Sequence, residues 1–122
     1  MLKNQNSKKY DLEERTYKFS KNVRDFIKEI PKNNTNNIYI SQLIRSSSSI
    51  GANFIEANEA LSKKDFYHRV RICRKEAKET EYWLLLLEIN SNLTLHNKMN
   101  KLVQEVNELM KIFGAIVSNA NF

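Results

Sequence analysis

Basic side chains are concentrated in one short stretch of this 122-residue sequence. Residues 63–78 contain seven Lys or Arg residues but only two acidic residues. Side chains that recur every three or four residues lie on one face of an α-helix, where a row of cations can neutralise several phosphates without reading base sequence. Tyr67 and Tyr82 flank this row and are placed to stack on unpaired bases. We predict a nucleic-acid-binding face, here named the basic stripe, made of Lys64, His68, Arg71, Arg74, Lys75 and Lys78.

Two other interpretations of the basic stripe stay open on sequence alone. The stripe is also compatible with a solvated helix face, partly paired with Glu76, Glu79 and Glu81 along the same helix. It is compatible as well with a protein-interaction scaffold that recruits a nucleic-acid enzyme, such as a reverse transcriptase. The net charge of +6 favours RNA or DNA as the partner.

Motifs for catalysis and for metal binding are missing from the sequence. It contains no Gly-rich phosphate loop, no nucleophile elbow and no supported Cys–His pair. Asp65 and His68 are spaced as in half of a carboxylate-bridged di-metal site, but His96, the other histidine, stands in a predicted loop without that spacing. We therefore predict no enzyme activity, no catalytic residues, no metal, no cofactor and no small-molecule substrate.

Cysteine usage and hydropathy bear on the cellular location. The single cysteine, Cys73, cannot form an internal disulfide, which suits a reducing compartment. The first 15 residues lack the apolar run of a signal peptide, and the apolar cluster at residues 82–87 is far shorter than the ~20 residues that span a bilayer. The sequence predicts a cytoplasmic protein with no membrane contact.

The elements that carry the basic stripe are predicted to be long helices, because the chain has only two glycines and one proline. We predict one all-α domain over residues 1–122, an antiparallel up-down-up-down four-helix bundle. Asp11 and Ser62 are predicted N-caps, Pro31 ends the first helix, and residues 32–37 form a polar loop. The predicted helices cover residues 11–30, 38–60, 63–90 and 97–117, after a polar arm at residues 1–9.

Apolar residues at alternating steps of three and four define the core face of each helix. In the second helix the small residues at 46–52 predict a close approach to a neighbouring helix. The predicted core residues of that helix are Ile40, Leu43 or Ile44, Ser47, Ile50, Phe54, Ala57 and Leu61. Those of the third helix are Phe66, Val70, Cys73, Ala77, Thr80, Leu84 and Leu87.

The C-terminal half of the third helix is apolar on almost every side, which is more than one bundle core needs. Apolar surface of this extent is usually covered by a partner, and the simplest partner is a second copy of the chain. We predict a homo-oligomer interface formed by Trp83, Leu85, Leu86 and Ile89.

Residues 40–88 resemble the signature of the bacterial four-helix-bundle proteins encoded in intervening sequences of 23S ribosomal RNA genes. The resemblance extends over most of residues 10 to 90, and the fourth helix matches only in general character. Many members of the family have a glycine where this chain has Ala57. The matching residues are Arg45, Ser46, Ser49, Ile50, Asn53 and Glu56, followed by Phe66, Glu76, Ala77, Glu79, Tyr82, Trp83 and Leu84.

This resemblance implies a bundle that assembles into a homopentameric ring with a central channel. The family is similar in fold to the accessory protein of diversity-generating retroelements, which is understood to bind nucleic acid and its reverse transcriptase through basic surfaces. For the intervening-sequence proteins, an RNA-binding role is inferred from the position of their genes. The family motif supplies no catalytic residues.

Overall fold

The computed structural model describes residues 7–120, with side chains from residue 11 onward. Four helices follow one another: α1 (Ser7–Ile27), α2 (Asn34–Asn58), α3 (Lys63–Leu86) and α4 (Leu93–Val117). Each helix packs against the next, and α4 packs back against α1, so that the bundle closes. The prediction of an all-α chain with four packed helices is confirmed, and residues 7–120 contain no strand.

Side-chain caps begin three of the helices. The side chain of Asn33 accepts a hydrogen bond from the backbone N–H of Asn36 at the start of α2. Ser62 caps α3 in the predicted way, accepting from the N–H of Asp65 at 3.1 Å. Asn92 caps α4. Each cap satisfies one of the backbone donors that have no partner inside the first helical turn.

The predicted helix boundaries need correction at several ends. Helix α1 already begins at Ser7, so Asp11 lies in its second turn and is not the cap, and only residues 1–6 of the predicted arm lie outside the described residues. The predicted end of the first helix at Pro31 is wrong, because α1 ends at Ile27. The predicted loop at 32–37 is right only at residues 32 and 33, because capping by Asn33 starts α2 at Asn34. At the other end, α3 stops at Leu86, and α4 starts at Leu93 after the Asn92 cap.

The core contains apolar side chains from all four helices. Val23, Leu43, Val70 and Val106 are fully buried, one from each helix in turn. Of Leu43 and Ile44, the two alternatives predicted for one core position of α2, Leu43 is the core residue, since Ile44 is half exposed. The α3 core face is confirmed from Val70 to Leu87, although Phe66 is only partly buried.

Leu61, predicted to lie in the core, is instead 99% exposed. Helix α2 ends at Asn58, so Leu61 stands in the turn before α3, where the helical spacing that would have turned it inward no longer applies. Ile89 is also placed differently from the prediction. It lies beyond the end of α3 in extended chain, and its side chain is buried in the core of the bundle at 3% exposure.

Small residues bring α2 close to both of its neighbours, as predicted. A Cβ atom added at Gly51 would lie only 3.0 Å from Oγ1 of Thr16 in α1. On the other side, the hydroxyls of Ser46 and Thr80 of α3 lie 2.9 Å apart. The Sγ of Cys73 donates to the carbonyl of Ile50 at 3.4 Å, and burial raises the pKa of this thiol to about 12. Cys73 is therefore a protonated core residue at neutral pH.

Candidate nucleic-acid interface

The six residues of the basic stripe are all exposed on the outer side of α3, but they do not form one site. Four of them line a cleft of about 620 Å³ between α3 and the end of α4. Lys64 and His68 lie nearer the start of α3, outside this cleft. Glu79 also borders it. We name the site the basic cleft and define it by Arg71, Arg74, Lys75, Lys78, Tyr82 and Val117.

The four cations of the basic cleft have no carboxylate within 4.0 Å in the described part of the chain. Some cations elsewhere in the bundle instead form ion pairs that join two helices. Arg15 of α1 binds Glu105 of α4 through Nε at 2.7 Å, and Lys98 binds Glu29 at 2.8 Å. Hydrogen bonding to Glu105 raises the pKa of Arg15 above its ordinary value. The bundle therefore pairs cations that join helices and leaves those of the cleft to the solvent.

Three of the four carboxylates of α3 bind side chains of other helices and not the basic cleft cations. Glu76 and Glu79 both bind Arg45 of α2, whose Nη1 lies 3.1 Å from Glu76 and whose Nη2 lies 2.7 Å from Glu79. Glu81 accepts a hydrogen bond from the side-chain amide of Asn107 of α4 at 2.9 Å. Pairing within α3, which a purely solvated face would use, is thus absent from the described residues of this helix.

The Arg45 contacts also determine the charge beside the cleft. Desolvation opposes ionisation of this guanidinium, but hydrogen bonds to Glu76 and Glu79, together with their negative charges, raise the pKa of Arg45 above its ordinary value. Glu79 borders the cleft, so its charge would repel a phosphate if it were unpaired. The ion pair with Arg45 at 2.7 Å compensates that charge.

Only one of the two predicted stacking residues lies in the basic cleft. Tyr82 is 60% exposed, and its ring packs edge-on against Trp83 with the centroids 5.2 Å apart. Tyr67 is partly buried and lies edge-on to Phe66, beside the turn between α2 and α3. Val117, the α4 residue of the cleft, had no signal in the sequence, because only the packing of α4 brings it beside α3.

The four residues of the predicted oligomer interface differ in how exposed they are in the bundle. Leu85 is 58% exposed, whereas Trp83 and Leu86 are partly buried. Ile89 belongs to the core and is removed from the interface. The prediction missed a second apolar surface, a cleft of about 460 Å³ between α1 and α2, because it rested on α3 alone. The exposed apolar residues beside that cleft are Tyr17, Ile44 and Ile55.

Several residues that carry the family resemblance hold α2 and α3 together. Arg45 reaches Glu76 and Glu79, and the hydroxyl of Ser46 meets Thr80. The side-chain oxygen of Asn53 accepts a hydrogen bond from Arg69. These motif residues therefore have a structural role, which is to hold α2 against α3. None of the contacts requires a ligand.

Residues 7–120 contain neither a cluster of metal ligands nor a helix that could span a membrane. In this range no group of three or more His, Cys, Asp or Glu side chains is arranged to hold a metal ion. None of the helices there has the length and hydropathy needed to cross a membrane.

The chain matches the protein-family model described as 23S rRNA-intervening sequence protein over residues 8–115. It is also similar to a protein with unknown function from the S23 ribosomal protein family of Bacteroides thetaiotaomicron VPI-5482, whose crystal structure was determined at 1.70 Å. The two share 29% identity with a TM-score of 0.77, over 92% of this chain and 99% of that one. No curated protein matches the chain. Neither description indicates a catalytic activity.

Proposed function

This chain belongs to the family of 23S rRNA-intervening sequence proteins, and from that premise we propose that it is a non-enzymatic, cytoplasmic protein that binds nucleic acid through the basic cleft. The observation that carries the proposal is the set of four cations that converge on one cleft without a carboxylate partner in the described chain. RNA is the preferred partner, given the ribosomal RNA context in the family description.

The chemistry of this binding is electrostatic. Arg71 and Lys78 are seven residues apart, so the four cations extend over about 10 Å of α3 and can contact consecutive phosphates. Binding of this kind releases condensed counterions and weakens as salt rises, with a slope of about −3 in log K against log salt for four contacts to a single strand. It fixes no base sequence, because phosphate contacts carry no sequence information.

Replacing the four cations of the basic cleft with glutamine is expected to abolish most of this binding and to reduce the magnitude of the salt slope by about 3. The measurement is fluorescence anisotropy of a labelled ribosomal RNA fragment at several salt concentrations. The matched control removes four exposed cations elsewhere, with the substitutions Lys18→Gln, Lys28→Gln, Lys101→Gln and Lys111→Gln. Equal losses in both variants would show that net charge, and not the cleft, causes binding. No binding of the unmodified protein at low salt would refute the proposal and favour a scaffold that recruits a nucleic-acid enzyme.

We also propose that the chain assembles with itself into a homopentameric ring. A closed ring places one surface of each copy against a different surface of the next. Two separate apolar surfaces support this arrangement, the α1–α2 cleft beside Ile44 and the exposed end of α3 at Leu85.

Light scattering is expected to give a mass five times the 14.4 kDa of the chain. The single substitutions Ile44→Glu and Leu85→Glu are each expected to lower the mass of the assembly. Each would bury an unpaired charge on one of the two surfaces that form the proposed contact between copies. The control is Lys101→Glu, at an exposed position outside both surfaces, which is expected to leave the mass of the assembly unchanged. A 14.4 kDa particle from the unmodified chain would contradict self-assembly.

A further inference from the structure

We propose that the basic cleft selects unpaired nucleic acid and that Tyr82 is the residue that makes this selection, by stacking on one exposed base. This inference rests on the proposed function and specifies its ligand as a single-stranded segment of RNA or DNA. Electrostatic binding alone would not make the distinction, since paired and unpaired strands both carry phosphates.

The position of Tyr82 connects the ring to the row of cations. It follows Lys78 by four residues and Lys75 by seven, so the three side chains lie on one face of α3. The rise of a helix places Tyr82 about 6 Å beyond Lys78 along the axis. A strand whose phosphates follow the cations therefore brings a nucleotide to the ring.

The packing of Tyr82 leaves its ring available for stacking. Its contact with Trp83 is edge-on, at an interplanar angle of 72°, so the two rings are not stacked face to face. Trp83 is itself partly buried, and its ring centroid lies 6.1 Å from that of Tyr39 of α2. Trp83 is therefore held in place by α2 and gives the Tyr82 ring a fixed neighbour. Because the Tyr82 ring already has this neighbour, stacking a base on it costs little additional side-chain entropy of Tyr82.

The shape of the cleft also favours an unpaired nucleotide. The cleft is an open groove of about 620 Å³ on the surface between α3 and the end of α4, which an extended strand can enter. Val117 of α4 adds an apolar side chain to the lining of this groove. In a duplex the bases are stacked inside and present only their edges, so neither Val117 nor the face of Tyr82 would find an apolar surface to cover.

The test compares three probes on the full-length protein, by anisotropy at one low salt concentration. They are a labelled 12-nucleotide RNA, the same strand annealed to its complement, and an abasic strand with the same number of phosphates. Tyr82→Leu is expected to weaken binding of the single strand by about 5- to 150-fold, which corresponds to the loss of one stacked base. Binding of the abasic strand is expected to stay unchanged. Tyr82→Phe keeps the ring and is expected to bind like the unmodified protein.

Leu93→Ala is the control, because Leu93 is a 73% exposed apolar residue at the start of α4, outside the basic cleft and both proposed assembly surfaces. Trp83, the one tryptophan of the chain, gives an independent signal, since a base stacked on Tyr82 changes the surroundings of the indole. If the unmodified protein binds the abasic strand as tightly as the RNA, or if Tyr82→Leu has no effect, stacking is overturned while electrostatic binding stands. If no probe binds, the proposed function fails first.

Discussion

Asn36→Asp is expected to destabilise the bundle by about 3 kcal/mol or more, although it changes a single amide to a carboxylate in a run of asparagines. The Asn36 side chain is fully buried in the first turn of α2. Its Nδ2 donates to the carbonyls of Pro31 and Glu88, each at 2.9 Å, and its Oδ1 accepts from the N–H of Glu88 at 2.9 Å. One amide thus joins the α1–α2 connection to the chain that follows α3.

An aspartate at this position would direct a carboxylate oxygen at two carbonyl oxygens and would leave both without a donor. Each buried polar group left without a partner costs about 1–3 kcal/mol, and a buried charge adds to the cost. Because these surroundings raise the pKa of the new carboxyl, the variant gains relative stability below the unfolded pKa of about 3.9 and loses it as the pH rises.

The measurement is urea unfolding followed by circular dichroism, at neutral and at acidic pH. Asn37→Asp is the matched control, because it makes the same chemical change one residue later at an exposed position. A carboxylate near the start of a helix is neutral or slightly favourable there, so the control is expected to change stability by less than about 0.5 kcal/mol. Equal effects of the two substitutions would show that the Asn36 hydrogen bonds do not stabilise the fold.

Arg45→Met is expected to destabilise the bundle by about 2–4 kcal/mol, mainly through Glu76. The Glu76 side chain is only 12% exposed, and Arg45 is the one cation that reaches it in the described chain. Removing one partner of a buried ion pair leaves an uncompensated charge, at a cost of about 3–5 kcal/mol for a fully buried pair. The expected value is lower here because the Arg45 side chain is 45% exposed.

A double-mutant cycle tests the cause. Replacing both residues, Arg45→Met with Glu76→Met, is expected to recover most of the lost stability, since two apolar side chains of similar volume need no compensation. The pair of Arg24 and Asp25 provides a control, because both side chains are about 60% exposed and such pairs contribute little. If the effects of the two single substitutions are additive, the Arg45–Glu76 pair is not what stabilises the α2–α3 contact.

The sequence by itself was sufficient for the number of helices and for most of their core residues. Helix formation depends on the near absence of glycine and proline and on spacings of three and four residues, which are both local properties. The same local rule placed the exposed cations of α3 on one face, from Lys64 to Lys78. Where the rule was extended past a helix end it failed, at Leu61 and at Ile89.

The hydrogen bonds and ion pairs between polar residues far apart in the chain were decided by the tertiary structure. Asparagines at 33, 34, 36 and 37 have the same chemistry, yet Asn33 caps α2 and Asn36 is buried between two connections. The carbonyl of Glu88 that fixes this choice is 52 residues away in the chain. No spacing within a single helix contains that information.

The basic cleft shows the same division. Helical spacing predicted its cations, because they lie on consecutive turns of one helix. It did not predict that Arg45, 31 and 34 residues before its partners, would bind Glu76 and Glu79, or that Val117 of α4 would line the same cleft. Local periodicity therefore determined where the charges lie. Which of them stay unpaired in a concave site was decided only when distant helices packed together.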